Sequence, residues 1–198
     1  MPTDRSSAFE IQFSPFSFFF CKRQLYAYYD HYLMYFNLNE INTEYSNDKY
    51  FAEKITLNNV DKCANECFSL GRMKKYLLNN GNFVEGFFFQ ERTTQEKAGF
   101  MWLMFPQCNE FQYRVRKVDA FIFDVFVFPN FRGCGLCGQM FQHVFDSLKK
   151  RGKNIVALGV RTDNTSAIRA YEKAGGVIKS RKRFIQLVHR YNIPYYSV

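Results

Sequence analysis

The chain has 198 residues, a length that suits one globular domain with a core of ordinary size. Aromatic residues make up 19% of the chain, including 24 Phe, and this composition excludes a disordered protein. The formal net charge of +9 favours acidic partners, but it does not distinguish nucleic acid from a small ligand that carries several phosphate groups.

The first half of the chain has patterns that favour one helix among several strands. Residues 1–48 are rich in Phe and Tyr and fit either a strand or a helix, and we predict that they form an extension packed on a domain spanning residues 49–198. The domain then begins with a strand at 50–56 and a helix at 60–78. Strands follow at 82–91, after an Asn-Asn-Gly turn, and at 99–105, where Pro106 ends the run.

A strand, a helix and a second strand follow in the C-terminal half. Residues 120–128 form an apolar run that predicts a buried strand, and residues 154–160 predict another. Between them a helix is predicted at 136–150, because Gly152 supplies a stop and apolar residues share one face: Leu136, Met140, Phe141, Val144, Phe145 and Leu148. Such a unit usually makes a right-handed crossover between parallel strands.

The loop between the first strand and this helix has the sequence Arg132-Gly133-Cys134-Gly135-Leu136-Cys137-Gly138. The first N–H groups of a helix have no intrahelical partner, and the helix dipole adds partial positive charge there. A glycine loop that leads into a helix can therefore hold a phosphate or pyrophosphate. The Gly-Lys-Ser or Gly-Lys-Thr ending of a nucleoside triphosphate loop is missing, so the loop predicts anion binding of another kind.

This loop resembles the acyl-CoA loop of the GNAT superfamily of N-acetyltransferases, where Arg or Gln is followed by two residues, Gly, one residue, and Gly or Ala. Cys137 stands at the last of these places. The resemblance covers roughly the C-terminal half in family order, and it includes the family's Asn-x-x-Ala-x-x-x-Tyr-Glu-x-x-Gly helix, here Asn164 to Gly175. It implies an α/β fold with a mixed, mostly antiparallel central sheet, a splayed pair of parallel strands, and flanking helices.

The resemblance further implies acetyl transfer from acetyl-CoA, as co-substrate, to a primary amine by direct attack in a ternary complex. Tyr171 would protonate the departing thiolate, and Asn164 would hydrogen-bond the cofactor arm. From the residues alone, Asn164 as a helix cap and Tyr171 as a packed aromatic remain open. The implied cofactor-binding residues are Val125, Phe126, Val127, Arg132, Gly133, Cys134, Gly135, Leu136, Cys137, Gly138, Asn164 and Tyr171.

The base that deprotonates the acceptor is not identified by the family pattern. Relatives that acetylate protein N-termini often carry Glu five residues before the helix Asn, and Gly159 occupies that position here. Asp124 is an acidic residue in an apolar strand, so it is either hydrogen-bonded structurally or a candidate base in the cleft. Glu85, Glu91 and Trp102 are further candidates for the cleft.

The densest basic cluster is Lys179-Ser180-Arg181-Lys182-Arg183, which fits a solvated turn or an edge strand. An alternative function is a non-catalytic protein that keeps the acyl-CoA fold and contacts nucleic acid or the ribosome through this cluster. Asn164, Tyr171 and the loop glycines favour the enzyme. The expected partners are therefore acetyl-CoA and an unidentified amine acceptor; nucleic acid is disfavoured and a homodimer is left open.

Targeting and metal signals are weak in this sequence. Residues 1–21 lack the basic start, long apolar centre and cleavage site of a signal peptide, and no segment is long and apolar enough to span a bilayer. Cys134 and Cys137 have a metal-like spacing, but the three histidines are scattered, so no metal site is predicted. We therefore expect a cytoplasmic protein.

Overall fold

The computed structural model describes residues 9–13, 16–21, 24–42, 49–63, 70–80, 83–106, 118–187 and 195–197. Ten strands and three α-helices lie in these ranges. The strands are β1 Phe9–Phe13, β2 Phe16–Cys21, β3 Gln24–Asn37, β4 Tyr50–Lys54, β5 Val84–Glu91, β6 Lys97–Met104, β7 Ala120–Val127, β8 Ile155–Arg161, β9 Val177–Leu187 and β10 Tyr195–Ser197. The helices are α1 Leu70–Asn80, α2 Leu136–Lys150 and α3 Thr165–Lys173.

All ten strands belong to one sheet, in the order β1-β2-β3-β8-β7-β6-β5-β4. Strand β9 pairs with β3 on the side opposite β8, and β10 pairs with β9. The β7–β8 pair is parallel and the other pairs in these ranges are antiparallel. The predicted α/β class with a mixed, mostly antiparallel sheet is confirmed.

Helices cover both faces of this sheet. The apolar residues of α2 predicted from the sequence are all buried, and they pack with α3 residues in the larger core cluster. On the opposite face, α1 contributes Met73 and Tyr76 to a second cluster around Trp102. None of the helices in the described ranges is long and apolar enough to cross a bilayer.

The strands predicted after residue 48 are found with small shifts of their ends. Helix α2 has the predicted bounds, because its glycine start and stop are local signals. The helix predicted at 60–78 begins instead with a 3₁₀ turn, Val60–Cys63, and α1 starts at Leu70; residues 64–69 lie outside the described ranges. The basic cluster lies within β9, so the strand interpretation was the correct one.

The N-terminal segment supplies a strand to the interior of the sheet. Residues 31–37 of β3 pair antiparallel with β8, while residues 26–35 pair antiparallel with β9 on the other side. Met34 and Phe36 are fully buried, and the Phe36 ring stacks 5.3 Å from that of Phe141 on α2. The ambiguous pattern of residues 1–48 therefore includes a central strand, whereas the domain boundary after residue 48 stays a prediction.

Candidate active site

The parallel strands β7 and β8 are joined at one end and separate at the other. Asp119 Oδ2 accepts hydrogen bonds from the N–H groups of Asn154 and Ile155, at 2.8 and 2.9 Å, and so ties the amino ends together. The ladder joins residues 120–122 to 156–158 and goes no further, although β7 runs to Val127 and β8 to Arg161. The predicted splayed pair is confirmed, with a gap at the carboxyl ends.

A β-bulge in β7 lies where the ladder stops. On β6, Trp102 pairs with Asp124 and Leu103 pairs with Ile122, so Phe123 is an extra residue in β7. A bulge bends its strand and increases the local twist, which turns β7 away from β8. The bulge also shifts the alternation of side chains, because Ile122 and Val125 both contact the core beneath α2. Sequence reasoning missed it, since nothing in the apolar run marks the extra residue.

Two of the predicted arm-binding residues have side chains in the larger core, and one has its side chain on the opposite face. Val125 and Val127 pack against the core beneath α2, while the Phe126 ring stacks 5.3 Å from Phe100 on the α1 side. All three lie beyond the end of the β7–β8 ladder. Their main chain on the side of the gap is therefore not part of that ladder and can pair with an extended ligand.

The glycine loop begins α2 without any side-chain cap. Gly133 and Gly135 both have φ of +77°, a conformation that favours glycine, and Gly135 is the N-cap residue. Its helix has no acidic residue in the first turn. A Cβ atom at Gly133, Gly135 or Gly138 would meet nothing within 4 Å, so open space adjoins the loop. The loop therefore fits an anionic group such as a pyrophosphate.

The other loop residues have structural contacts. Arg132 Nε donates to the Val127 carbonyl oxygen at 3.1 Å, which ties the loop to the end of β7. Leu136 is buried and Cys134 is exposed. Burial raises the pKa of the Cys137 thiol to about 12, so this thiol keeps its proton at neutral pH. In the described ranges no group of three His, Cys, Asp or Glu side chains is arranged to hold a metal ion.

Tyr171 projects from α3 into the core beneath the sheet. It is 9% exposed, and its ring packs edge-on against Phe141 at 5.2 Å. Burial raises the pKa of the phenol, and the nearby Cys137 and Asp124 raise it further when they carry negative charge. The phenol therefore holds its proton throughout the neutral range. Its packing role is thus observed, and its role as a proton donor stays a prediction.

Asp124 is brought toward Tyr171 by the fold. Its side chain is 1% exposed, and after burial and Cys137 it is a further cause of the raised pKa of Tyr171. Because α3 follows β7 by almost forty residues, the tertiary packing is what places Tyr171 within electrostatic range of Asp124. The carboxylate favours the protonated phenol, which is the form that a general acid needs. The candidate role of Asp124 as the acceptor's base stays a prediction.

Asn164 caps α3 directly after β8. Its Oδ1 atom accepts hydrogen bonds from the Ala167 N–H at 3.2 Å and the Ser166 hydroxyl at 3.1 Å. The capping alternative from the sequence is therefore confirmed. These two bonds use only the oxygen, so the Nδ2 group of this exposed side chain can still donate to a ligand.

Asn164→Ala should have two separable effects. Loss of the cap should lower the free energy of unfolding by about 1 kcal/mol, and loss of the amide donor should weaken acetyl-CoA binding. Asn164→Ser is the matched control, because Ser caps helices well but lacks the amide. Thermal unfolding and acetyl-CoA titration measure the two effects. If Asn164→Ser binds acetyl-CoA as tightly as the original chain, Asn164 acts as a cap alone.

The other acidic candidates lie away from Tyr171. Glu85 binds Arg151 at 2.7 Å, just past the C-terminal end of α2 and so at the opposite end of that helix from the glycine loop. Its interpretation as a cleft residue was wrong. Glu91 binds Lys49 at 3.3 Å near the end of β5, where a Thr94 hydrogen bond and this cation lower its pKa. Glu91 is therefore a weak base.

Trp102 is a core residue beneath α1. It is fully buried, and its ring packs edge-on against Tyr76 at 5.7 Å. Although it pairs with Asp124 across the β6–β7 ladder, its side chain belongs to the α1 cluster rather than to the cluster around Tyr171. The sequence did not point to His31, which β3 brings opposite Arg161 at the carboxyl end of β8. A lone histidine in an aromatic segment carries no local signal of this placement.

The fold and the site together define an acyltransferase-type domain, with a splayed parallel pair beside an uncapped helix that begins at glycines. The model of the acetyltransferase (GNAT) family matches residues 56–176, more than half of the chain. The chain belongs to this family. Membership places it among the acyltransferases and agrees with the resemblance seen in the loop and in the Asn164–Tyr171 helix.

Two curated relatives are similar to parts of the chain. An uncharacterised N-acetyltransferase of Methanocaldococcus jannaschii is 33% identical over 91 residues, which cover 46% of this chain and 38% of the relative. The ribosomal protein bS18-alanine N-acetyltransferase of Escherichia coli K12 is 37% identical over 57 residues, or 29% of this chain and 38% of the relative. The matches thus span well under half of the length of these relatives.

Solved structures share the fold at low sequence identity. A GCN5-related N-acetyltransferase from Sphaerobacter thermophilus matches with a TM-score of 0.58 and 18% identity, over 79% of this chain and 50% of that one. A tandem GNAT protein from the clavulanic acid pathway matches with a TM-score of 0.56 and 13% identity, over 77% of this chain and 51% of that one. Each match therefore spans about half of the longer protein.

Proposed function

We propose that the protein transfers the acetyl group of acetyl-CoA to a primary amine, by direct attack of the amine on the thioester in a ternary complex. The observation that carries this proposal is the meeting of three features at one place: the separated ends of β7 and β8, the uncapped start of α2, and the buried phenol of Tyr171. Family membership supports acyl transfer to amines in general.

The residues of the gap and the loop suit acetyl-CoA, which when bound would supply an activated acetyl thioester. The amides of residues 133–138 would hold its pyrophosphate, next to the open space beside the glycines. The main chain of Val125, Phe126 and Val127 would pair with the pantetheine arm. Arg132 already donates to the Val127 carbonyl oxygen, but a carbonyl oxygen has two lone pairs and can accept a second bond.

Tyr171 would give its proton to the sulfur as the C–S bond breaks. The buried carboxylate of Asp124 favours the protonated phenol and so suits a role in keeping this proton in place. Backbone N–H of Phe126 or Val127 would stabilise negative charge on the carbonyl oxygen, in the manner of an oxyanion hole. Tyr171, Asp124 and the backbone N–H groups would therefore act on charges that differ between the start and the end of the reaction.

The acceptor in the proposed reaction is a primary amine. The name of the Escherichia coli relative refers to an alanine of a ribosomal protein, which supports a protein or peptide amine as one class. The sequence leaves amino sugars, polyamines and aminoacyl groups open as acceptors. A screen of these amines for free-thiol release from acetyl-CoA identifies the acceptor.

We also propose that the protein is cytoplasmic.

Acetyl-CoA should stabilise the folded protein. At a ligand concentration a hundredfold above the dissociation constant, the gain is ~2.7 kcal/mol, which should raise Tm by several degrees. S-acetylpantetheine, which lacks the nucleotide and pyrophosphate, is the matched ligand and should give a smaller shift. Differential scanning fluorimetry measures both. An unchanged Tm at millimolar acetyl-CoA would contradict the proposal.

The second candidate is a non-catalytic protein that binds nucleic acid through β9. Lys179, Lys182 and Arg183 are exposed on this strand, whereas Arg181 is held by Asp30 through two hydrogen bonds. Submicromolar binding of a random duplex at physiological salt, together with an unchanged Tm in acetyl-CoA, would favour this function. The salt dependence of that binding would report the number of phosphates contacted.

A further inference from the structure

A buried imidazole on β3 lies at the carboxyl end of β8, close to the gap between β7 and β8. His31 is 2% exposed and sits directly opposite Arg161 in the β3–β8 ladder. The pKa of Asp163, in the turn between β8 and the Asn164 cap of α3, is lowered mainly by its hydrogen bond from Arg161 and also by His31. The imidazole therefore lies beside the end of β8, which faces the candidate acetyl-CoA contacts of β7 across the gap.

The side chain of His31 points to the face of the sheet opposite α2 and α3. Alternate β3 residues at 32, 34 and 36 pack in the core beneath α2, so His31 and Leu33 point the other way. Alternate β8 residues at 156, 158 and 160 also pack beneath α2, which puts Gly159 and Arg161 on the face of His31. Tyr171, the proposed proton donor for sulfur, lies on the α2 face.

Gly159 places no side chain between His31 and the gap. It pairs with Leu33, so it is the diagonal neighbour of His31 on the adjacent strand. Neighbouring strands lie ~4.8 Å apart, and diagonal positions are within reach of a ring. Because Gly159 has no side chain, nothing on β8 at that position stands between the imidazole and the strand edge that faces the gap. His31 and Tyr171 therefore lie on opposite faces of the sheet, so the two proton transfers would use separate groups on separate sides.

We propose that His31 is the general base that removes a proton from the acceptor ammonium, directly or through one water molecule; this rests on the proposed function. The imidazole takes one proton and the neutral amine forms the C–N bond to the acetyl carbon. The C–S bond breaks and the thiolate takes the proton of Tyr171. The second proton lost from nitrogen returns to Tyr171, and the first passes from His31 to solvent, so one H⁺ is released per turnover.

The charged groups that face His31 suit this task. Arg161 on β8 and Lys182 on β9 lie directly opposite it. Asp163, which Arg161 binds through its Nε at 2.9 Å, stabilises the imidazolium once formed. An ordinary histidine side chain has a pKa of ~6.5. At neutral pH such a group can both accept a proton as a base and release that proton to solvent.

Replacing His31 tests the proposal. His31→Gln should lower kcat/KM about 10²-fold or more at pH 7 and remove the acidic limb of its pH profile, while the acetyl-CoA dissociation constant stays unchanged. The probes are spermidine, glucosamine and a peptide that begins with Ala, followed by thiol release. His143→Gln is the matched control, because His143 lies on α2 and packs against Phe87 and Phe89 of β5. This substitution should leave both kcat/KM and the acetyl-CoA dissociation constant unchanged.

A second measurement does not need a folded His31 variant. In a His143→Gln, His189→Gln chain, His31 is the one remaining imidazole. Its NMR signals should shift when acetyl-CoA is added, and its titration midpoint should match the acidic kinetic pKa of that chain. Wild-type kcat/KM with an intact acidic limb in His31→Gln, or imidazole signals that do not move when acetyl-CoA is bound, would overturn the proposal. Absence of acetyl-CoA binding in the original chain would instead overturn the proposed function.

Discussion

Tyr171→Phe should lower turnover by about 10²- to 10⁴-fold and leave the acetyl-CoA dissociation constant nearly unchanged. The substitution removes a proton that is needed only as the thiolate leaves, so it acts on the transition state and not on ground-state binding. The ring that packs against Phe141 is kept, so stability should change little. Steady-state kinetics with a working acceptor and acetyl-CoA titration measure the two quantities.

The pH dependence of the same reaction follows from the burial of the phenol. Because the folded protein raises the pKa of Tyr171, its proton is lost only above the ordinary tyrosine range, near pH ~10. Turnover should therefore show no alkaline loss from this group up to about that pH. Unchanged turnover in Tyr171→Phe would mean that the thiolate leaves without this proton, and Tyr171 would then be a packed aromatic only.

Gly135→Val should abolish the stabilisation by acetyl-CoA. Gly135 has φ of +77°, which a β-branched residue adopts only with strain, and its side chain would fill the open space at the start of α2. The strain should lower the free energy of unfolding by about 1–3 kcal/mol. The loss of acetyl-CoA binding free energy should be larger than this loss of stability, because the loop amides could no longer surround the pyrophosphate.

Gly152→Val separates these two effects. Gly152 has φ of +69° and open space beside it, but it follows the C-terminal end of α2. The two variants should therefore lose similar stability, while only Gly135→Val loses the Tm shift and the calorimetric binding signal with acetyl-CoA. Equal acetyl-CoA binding by both variants would contradict the assignment of the pyrophosphate site to the glycine loop.

Local patterns in the sequence were enough to predict the elements around the candidate site. The bounds of α2 followed from its apolar face, its glycine start and Gly152, all of which act within a few residues. Asn164 and Tyr171 are seven residues apart on one short helix, so the sequence placed both on α3. The order of strand, glycine loop, helix and strand also predicted the parallel pair, because crossover connections have few solutions.

Tertiary structure decided what depends on distant parts of the chain. The bulge at Phe123 is defined by the register against β6, and the ion pair of Glu85 is defined by its approach to Arg151, neither of which a local pattern carries. The interior position of β3 arises from pairing with β8 and β9, more than a hundred residues later. That long-range pairing brings His31 opposite Arg161 at the carboxyl end of β8, because the free energy of strand register is set by partners that the sequence alone does not identify.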